Sequence, residues 1–188
     1  MTLHRFVAWL PAAVLVAVTG CTDGAPASPV AATAPTAAFA AASTSRTAVP
    51  MQAELSGTAW IDFNNPLGCT VTPFTIVAAG TGQWSHMGAV EMTSRHCITG
   101  TNAQGEPVFA GTAVYRAANG DQLHSSYTGT MHQAAGASTP MDGPFAITGG
   151  TGRFADASGN GTWSAEVTMN SPAGPWPTTW HKRASIVY

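Results

Sequence analysis

Residues 145–163 read Phe145-Ala146-Ile147-Thr148-Gly149-Gly150-Thr151-Gly152-Arg153-Phe154-Ala155-Asp156-Ala157-Ser158-Gly159-Asn160-Gly161-Thr162-Trp163. Phe145 and Ile147 alternate on one face, the period-two mark of a half-buried strand. Gly149, Gly150 and Gly152 then permit positive φ, where a side chain would clash, so the chain turns there. Arg153-Phe154-Ala155 reads as a short helical or irregular plug. Phe154 is the one large apolar group in this connection and is expected to anchor it in the core. Ser158-Gly159-Asn160-Gly161 reads as a second turn before a strand that starts at Thr162.

The rest of the chain follows the same grammar. It has 188 residues, enough for one domain once a leader is removed. Only 9% of residues are charged and the net charge is −2, so no basic stripe is present for nucleic acid. The dipeptide Gly-Thr recurs at Gly57, Gly80, Gly100, Gly111, Gly129, Gly150 and Gly161, which reads as short strands broken by turns. Strands are expected over 55–63, 71–78, 84–93, 108–116, 123–132, 141–148, 162–170 and 178–188. Pro73 suits an irregular start. Turns are expected at Asn64-Asn65-Pro66-Leu67-Gly68 and Ala79-Gly80-Thr81-Gly82. Regular turn spacing without helical periods predicts an all-β barrel or sandwich. Eight antiparallel strands suffice to close a barrel around side chains or one small ligand.

Asn119-Gly120 favours a two-residue hairpin turn. That turn places Arg116 opposite Leu123 and Thr112 opposite Tyr127. One face then collects Val108, Ala110, Thr112, Val114 and Arg116 with Leu123, Ser125, Tyr127 and Met131. It is the more apolar face and is expected to point inward, while a one-residue bulge at Gly120 would break the pairing. With Phe145, Ile147 and Trp163, the expected lumen residues are Thr112, Arg116, Leu123, Tyr127, Met131, Phe145, Ile147 and Trp163.

The run 145–159 resembles the turn of the allene oxide cyclase and dirigent-like barrel superfamily and is most similar to its small secreted bacterial members, whose roles are unassigned. Ala118-Asn119-Gly120-Asp121-Gln122-Leu123, followed by Tyr127-Thr128-Gly129-Thr130, is similar to the hairpin just upstream in those proteins. The two motifs cover about a third of the exported domain. The resemblance implies an eight-stranded antiparallel, calycin-like barrel that needs no cofactor. In the cyclases of that superfamily, acidic and water-binding groups lie on and after the first strand. The nearest counterparts here are Asp62, Asn64 and Asn65, whose neighbours do not reproduce the enzyme motif. Asp62 equally suits a cap on the 64–68 turn. Glu166 is another lone carboxylate, flanked by the solvent-type residues Ser164 and Thr168. No catalytic residue is assigned.

The N-terminal third carries the address. His4 and Arg5 precede an apolar run over 6–18, the length of a signal core and too short to span a membrane as a helix. The run ends in Val18-Thr19-Gly20-Cys21, which resembles a bacterial lipobox with Cys21 as the acylated residue. The other reading is an ordinary secretory signal with a coincidental cysteine, giving a secreted soluble protein. Residues 22–53 are rich in Ala, Pro, Thr and Ser without apolar periodicity and read as a disordered tether. The barrel domain is expected over 54–188.

Cys69 and Cys97 remain. Two cysteines in an exported domain most often pair, the alternative being two separate buried thiols. Neither has a second ligand at a zinc spacing, so no metal site is expected. His86, His96, His124, His132 and His181 are scattered singly and read as surface or hydrogen-bonded histidines. Trp60, Trp84, Trp163, Trp176 and Trp180 either line a cavity or fill a core or a homo-oligomer interface.

Three functions fit these readings. The first is a lipid-anchored envelope barrel that binds a hydrophobic small molecule or an envelope partner. The second is a cofactor-free isomerase or cyclase of the kind the resemblance implies. The third is a dirigent-like guide of radical coupling.

Overall fold

The computed structural model describes residues 46–133 and 136–188. The export signal, Cys21 and most of the tether lie outside these residues. Eight strands close into one antiparallel barrel: β1 (Val49–Asp62), β2 (Thr75–Trp84), β3 (Gly88–Thr101), β4 (Pro107–Ala117), β5 (Gln122–Met131), β6 (Thr139–Gly150), β7 (Ser158–Val167) and β8 (Trp176–Val187). Each pairs with its sequence neighbours, and β8 returns to β1. Strand β1 thus begins ahead of the expected domain start at Glu54, taking in the end of the expected tether. Side chains alternate along every strand. On β1, Met51, Ala53 and Leu55 are buried while Gln52, Glu54 and Ser56 are exposed; on β3, Val90, Met92 and Ser94 are buried while Glu91, Thr93 and Arg95 are exposed. A polar exterior around an apolar interior is the reverse of a barrel that faces lipid. No helix among the described residues is long and apolar enough to cross a membrane.

Several glycines expected to turn the chain lie inside strands instead. Gly80 and Gly82 belong to β2, and the reversal falls at Ser85-His86-Met87, where Met87 N–H donates to Trp84 O at 3.0 Å. Gly159 and Gly161 belong to β7, which starts at Ser158 rather than Thr162. The reason is close approach. A Cβ on Gly129 would lie 2.5 Å from Trp163 and 2.6 Å from Phe109, and one on Gly161 would lie 2.6 Å from the Phe145 ring. Inward glycines therefore make room for large rings from neighbouring strands. At Gly57, Gly80, Gly111, Gly129 and Gly161 the Gly-Thr pair marks an inward glycine and an outward threonine rather than a turn.

The hairpin joining β4 and β5 also differs from expectation. Gly120 N–H donates to Ala117 O at 2.9 Å and Ala117 N–H to Asp121 O at 2.8 Å, with Gly120 at φ 91°. This is a three-residue loop with a glycine bulge. It slides the register by one, so Tyr115 faces Leu123 and Arg116 faces Gln122. A one-residue slip exchanges the two faces of a strand. Thr112 and Arg116 are consequently exposed on the outside, and Phe109, Ala113, Tyr115 and Ala117 point inward. The inward row on β5 is as expected, with Leu123 and Ser125 buried.

The connection between β6 and β7 closes one end of the barrel. Gly149, at φ 120°, sits in a bulge near the end of β6, and Gly150 ends that strand. Gly152, at φ 56°, opens a 3-10 turn over Gly152–Phe154. Phe154 is fully buried there, 5.1 Å from the ring of Tyr188, while Arg153 stays exposed.

A disulfide joins Cys69 in the β1–β2 loop to Cys97 on β3, Cα to Cα 5.4 Å, across 28 residues. His96 points inward and Cys97 outward, so the bridge straps the loop to the barrel's outer wall. A closed loop of this size stabilises a fold by roughly 3–4 kcal/mol in the chain-entropy model. Such a bridge fits an oxidising compartment.

Candidate functional site

The two barrel ends differ. At the closed end, Trp84, Leu123, Ile147, Phe154 and Ile186 fill the space. Toward the other end a small cavity of about 40 Å³ remains. Its wall includes Met92, Met131, Met141, Trp163, Trp176 and Trp180. Met169 belongs both to this wall and to the surface, so the cavity reaches the mouth.

The mouth carries every exposed large apolar side chain among the described residues: Phe63, Leu67 and Val71 in the β1–β2 loop, and Met169 after β7. These two loops are neighbours, since Ile61 N–H donates to Ala173 O at 2.9 Å. Phe63 packs edge-on against Phe74 at 6.3 Å.

Polar groups inside the lumen are few, and each is held by strand alternation. Inward positions on β8 are Trp176, Thr178, Trp180, Lys182, Ala184 and Ile186. Lys182 is 5% exposed and lines the cavity. Its Nζ lies over the rings of Phe145 at 5.2 Å, Tyr115 and Trp163 at 5.5 Å, and Tyr127 at 5.9 Å. Burial lowers its pKa from 10.5 to about 7. No acidic residue lines the cavity, so no counter-charge there offsets the desolvation.

His96, inward on β3, lines the same wall. Its Nδ1 lies 3.0 Å from the Tyr127 hydroxyl, and its ring stacks on Phe109 at 4.5 Å. Its Nε2 is buried without a partner. Burial lowers the His96 pKa to about 4, so the ring is neutral. The phenols of Tyr115 and Tyr127 are pushed well above 10 by burial. The Trp163 indole N–H donates to Thr128 O at 3.1 Å.

Of the expected lumen residues, Leu123, Tyr127, Met131, Phe145, Ile147 and Trp163 point inward; only Tyr127, Met131 and Trp163 line the cavity. Among the tryptophans, Trp163, Trp176 and Trp180 line it, Trp84 packs in the closed end, and Trp60 lies half-buried on the outward row of β1.

The lone acids have other work. Asp62 accepts from Asn64 N–H at 3.0 Å, capping the turn. Asn65 accepts from Cys69 N–H at 2.8 Å. Glu166 is exposed and accepts from Ser138 Oγ at 2.6 Å. His132 bridges Glu106 and Asp142 at 3.2 and 3.3 Å.

Lys182 escaped the sequence reading, although a signal was present. It is the chain's one lysine and shares the alternating row of Trp176, Trp180 and Ile186.

Fold and site together define a closed antiparallel barrel with a polar exterior and an apolar lumen that holds one amine and one neutral imidazole. No protein-family model, no curated protein and no solved structure matches the chain.

Proposed function

We propose that this protein is an exported, lipid-anchored barrel that binds a slender apolar molecule in its lumen. The carrying observation is the apolar cavity that reaches the surface at the one end bearing exposed Phe63, Leu67, Val71 and Met169. The void of about 40 Å³ is smaller than such a ligand, so entry requires the unbranched side chains of Met131, Met141 and Met169, which line it, to shift and enlarge it. Decanol is a suitable probe, read by the change in emission of the lumen tryptophans Trp163, Trp176 and Trp180. It should bind the native protein, and Ala78→Leu, which fills the cavity wall, should weaken binding about tenfold or more while leaving the fold intact. Equal affinity in that variant would place the ligand elsewhere.

The anchor rests on Val18-Thr19-Gly20-Cys21. Cys21→Ser should abolish incorporation of a fatty-acid label. Undiminished labelling would leave the secreted soluble reading.

Membership of the allene oxide cyclase and dirigent-like superfamily is part of the same proposal, supported by the 145–159 motif and by an eight-stranded antiparallel barrel. Binding stands ahead of cyclase chemistry. The cyclase reading calls for a carboxylate within the barrel, and the cavity wall carries none.

A further inference from the structure

We propose that Lys182 is a covalent capture site, whose amine condenses with a slender apolar aldehyde admitted at the mouth to form an imine. The inference rests on the reading of the lumen as a binding chamber and names the ligand class and the atom that holds it.

Four observations carry it. First, Lys182 is the only lysine of the chain; the other cationic side chains are arginines, at positions 5, 46, 95, 116, 153 and 183. An arginine cannot lose its proton to become a nucleophile, whereas a buried lysine can. Of the seven lysine and arginine side chains, the one that can lose its proton is the one in the cavity wall. Second, no acidic side chain lines that wall, and no ion pair or hydrogen bond holds the amine among the described residues. No counter-charge holds it protonated, and burial brings its pKa to about 7, so much of it is free base at neutral pH. Third, the four rings at 5.2–5.9 Å present their faces to the nitrogen and stabilise a protonated imine as they do an ammonium. Fourth, the same cavity wall contains a second polar group without a partner, His96 Nε2, so the chamber leaves hydrogen-bonding capacity for a polar ligand atom.

The chemistry balances without a cofactor. The amine lone pair attacks the carbonyl carbon while the C–O π pair moves to oxygen. A proton passes from nitrogen to that oxygen, giving a carbinolamine. A proton from solvent then reaches the hydroxyl, the nitrogen lone pair expels it as water to give the protonated C=N, and loss of the N–H proton to solvent leaves the imine, so no net proton is consumed. Hydrolysis reverses the sequence, so capture is reversible. A methionine would fill the same space without the burden of burying an ammonium, so the amine's presence points to use rather than packing.

The test incubates the native full chain with decanal and cyanoborohydride, which reduces the imine to a stable secondary amine, followed by peptide mapping. Decanol binding, read by the change in tryptophan emission, is the non-covalent control. The expected result is one decyl adduct on the peptide containing Lys182, competed away by decanol and absent in Lys182→Arg and Lys182→Met. It should form roughly a hundredfold faster at neutral pH than in urea-unfolded chain, because burial raises the free-base fraction by more than that. If decanol binds but Lys182 is not labelled, capture is wrong and the chamber stands. If glyceraldehyde labels Lys182 as fast as decanal, the site is not selective for apolar aldehydes and the proposal falls. If neither decanol nor decanal engages the protein, both the chamber and the capture site fall.

Discussion

Phe154→Ala should cost roughly 3–5 kcal/mol of folding stability, the range for truncating a fully buried aromatic. That is a large part of what a small domain has. Phe154 is 0% exposed and its ring sits 5.1 Å from Tyr188, at the closed end of the barrel. Gly149 in the β6 bulge and Gly152 in the 3-10 turn hold positive φ on the way to it, so the backbone is not free to collapse into the void. Arg153→Ala serves as the comparison. The Arg153 guanidinium lies 4.7 Å over the Phe154 ring and donates to His86 O, but the side chain is exposed, and such contacts contribute only about 0.5–1 kcal/mol. Urea unfolding of both variants measures the difference. A loss below about 1 kcal/mol in Phe154→Ala would mean that the connection is not the barrel's plug. Loss of decanol binding in Arg153→Ala with stability unchanged would make the motif a site instead.

Lys182→Met should stabilise the protein at neutral and lower pH, on the order of 5 kcal/mol. The folded pKa of Lys182 is about 7, against 10.5 in the unfolded chain. Between those values the unfolded state binds the extra proton, so stability rises with pH across that window. Below about 7 the folded protein bears the whole burden of a buried ammonium. His96 adds a second window in the same direction: with a folded pKa of about 4 against 6.5, it removes stability as pH falls through that range. The Tyr115 and Tyr127 phenols, raised by burial, oppose the trend above about pH 10, where unfolded tyrosines ionise. Wild-type stability should therefore climb from about pH 7 to about pH 10 and then fall. Lys182→Met should lose the climb and keep the acid-side loss due to His96. Urea midpoints across that range decide the matter. A parallel pH dependence in wild type and Lys182→Met would show that the amine is solvated in the folded state.

Local pattern determined much of this molecule. Alternating apolar residues in 145–147 and the glycines before Phe154 are local statements about faces and φ. They were enough for an eight-stranded all-β fold, for a buried Phe154 beside an exposed Arg153, and for the Cys69–Cys97 pair. What a sequence position cannot state is which backbone lies opposite it. Gly80, Gly82, Gly159 and Gly161 look like turns because glycine permits a turn, yet they lie in strands because a ring or a neighbouring strand occupies the space of a Cβ. The faces of β4 hung on one residue of loop length at Gly120, and that residue carried Thr112 and Arg116 outside and Tyr115 within. The cavity is more distant still from local pattern. Lys182, His96, Tyr127 and Trp163 come from four strands, β8, β3, β5 and β7, and meet only because β8 pairs with β1 to close the barrel. Closure removes the lysine from water and turns an ordinary charged residue, the only one of its kind in the chain, into an amine that gives up its proton near neutral pH and faces an apolar space.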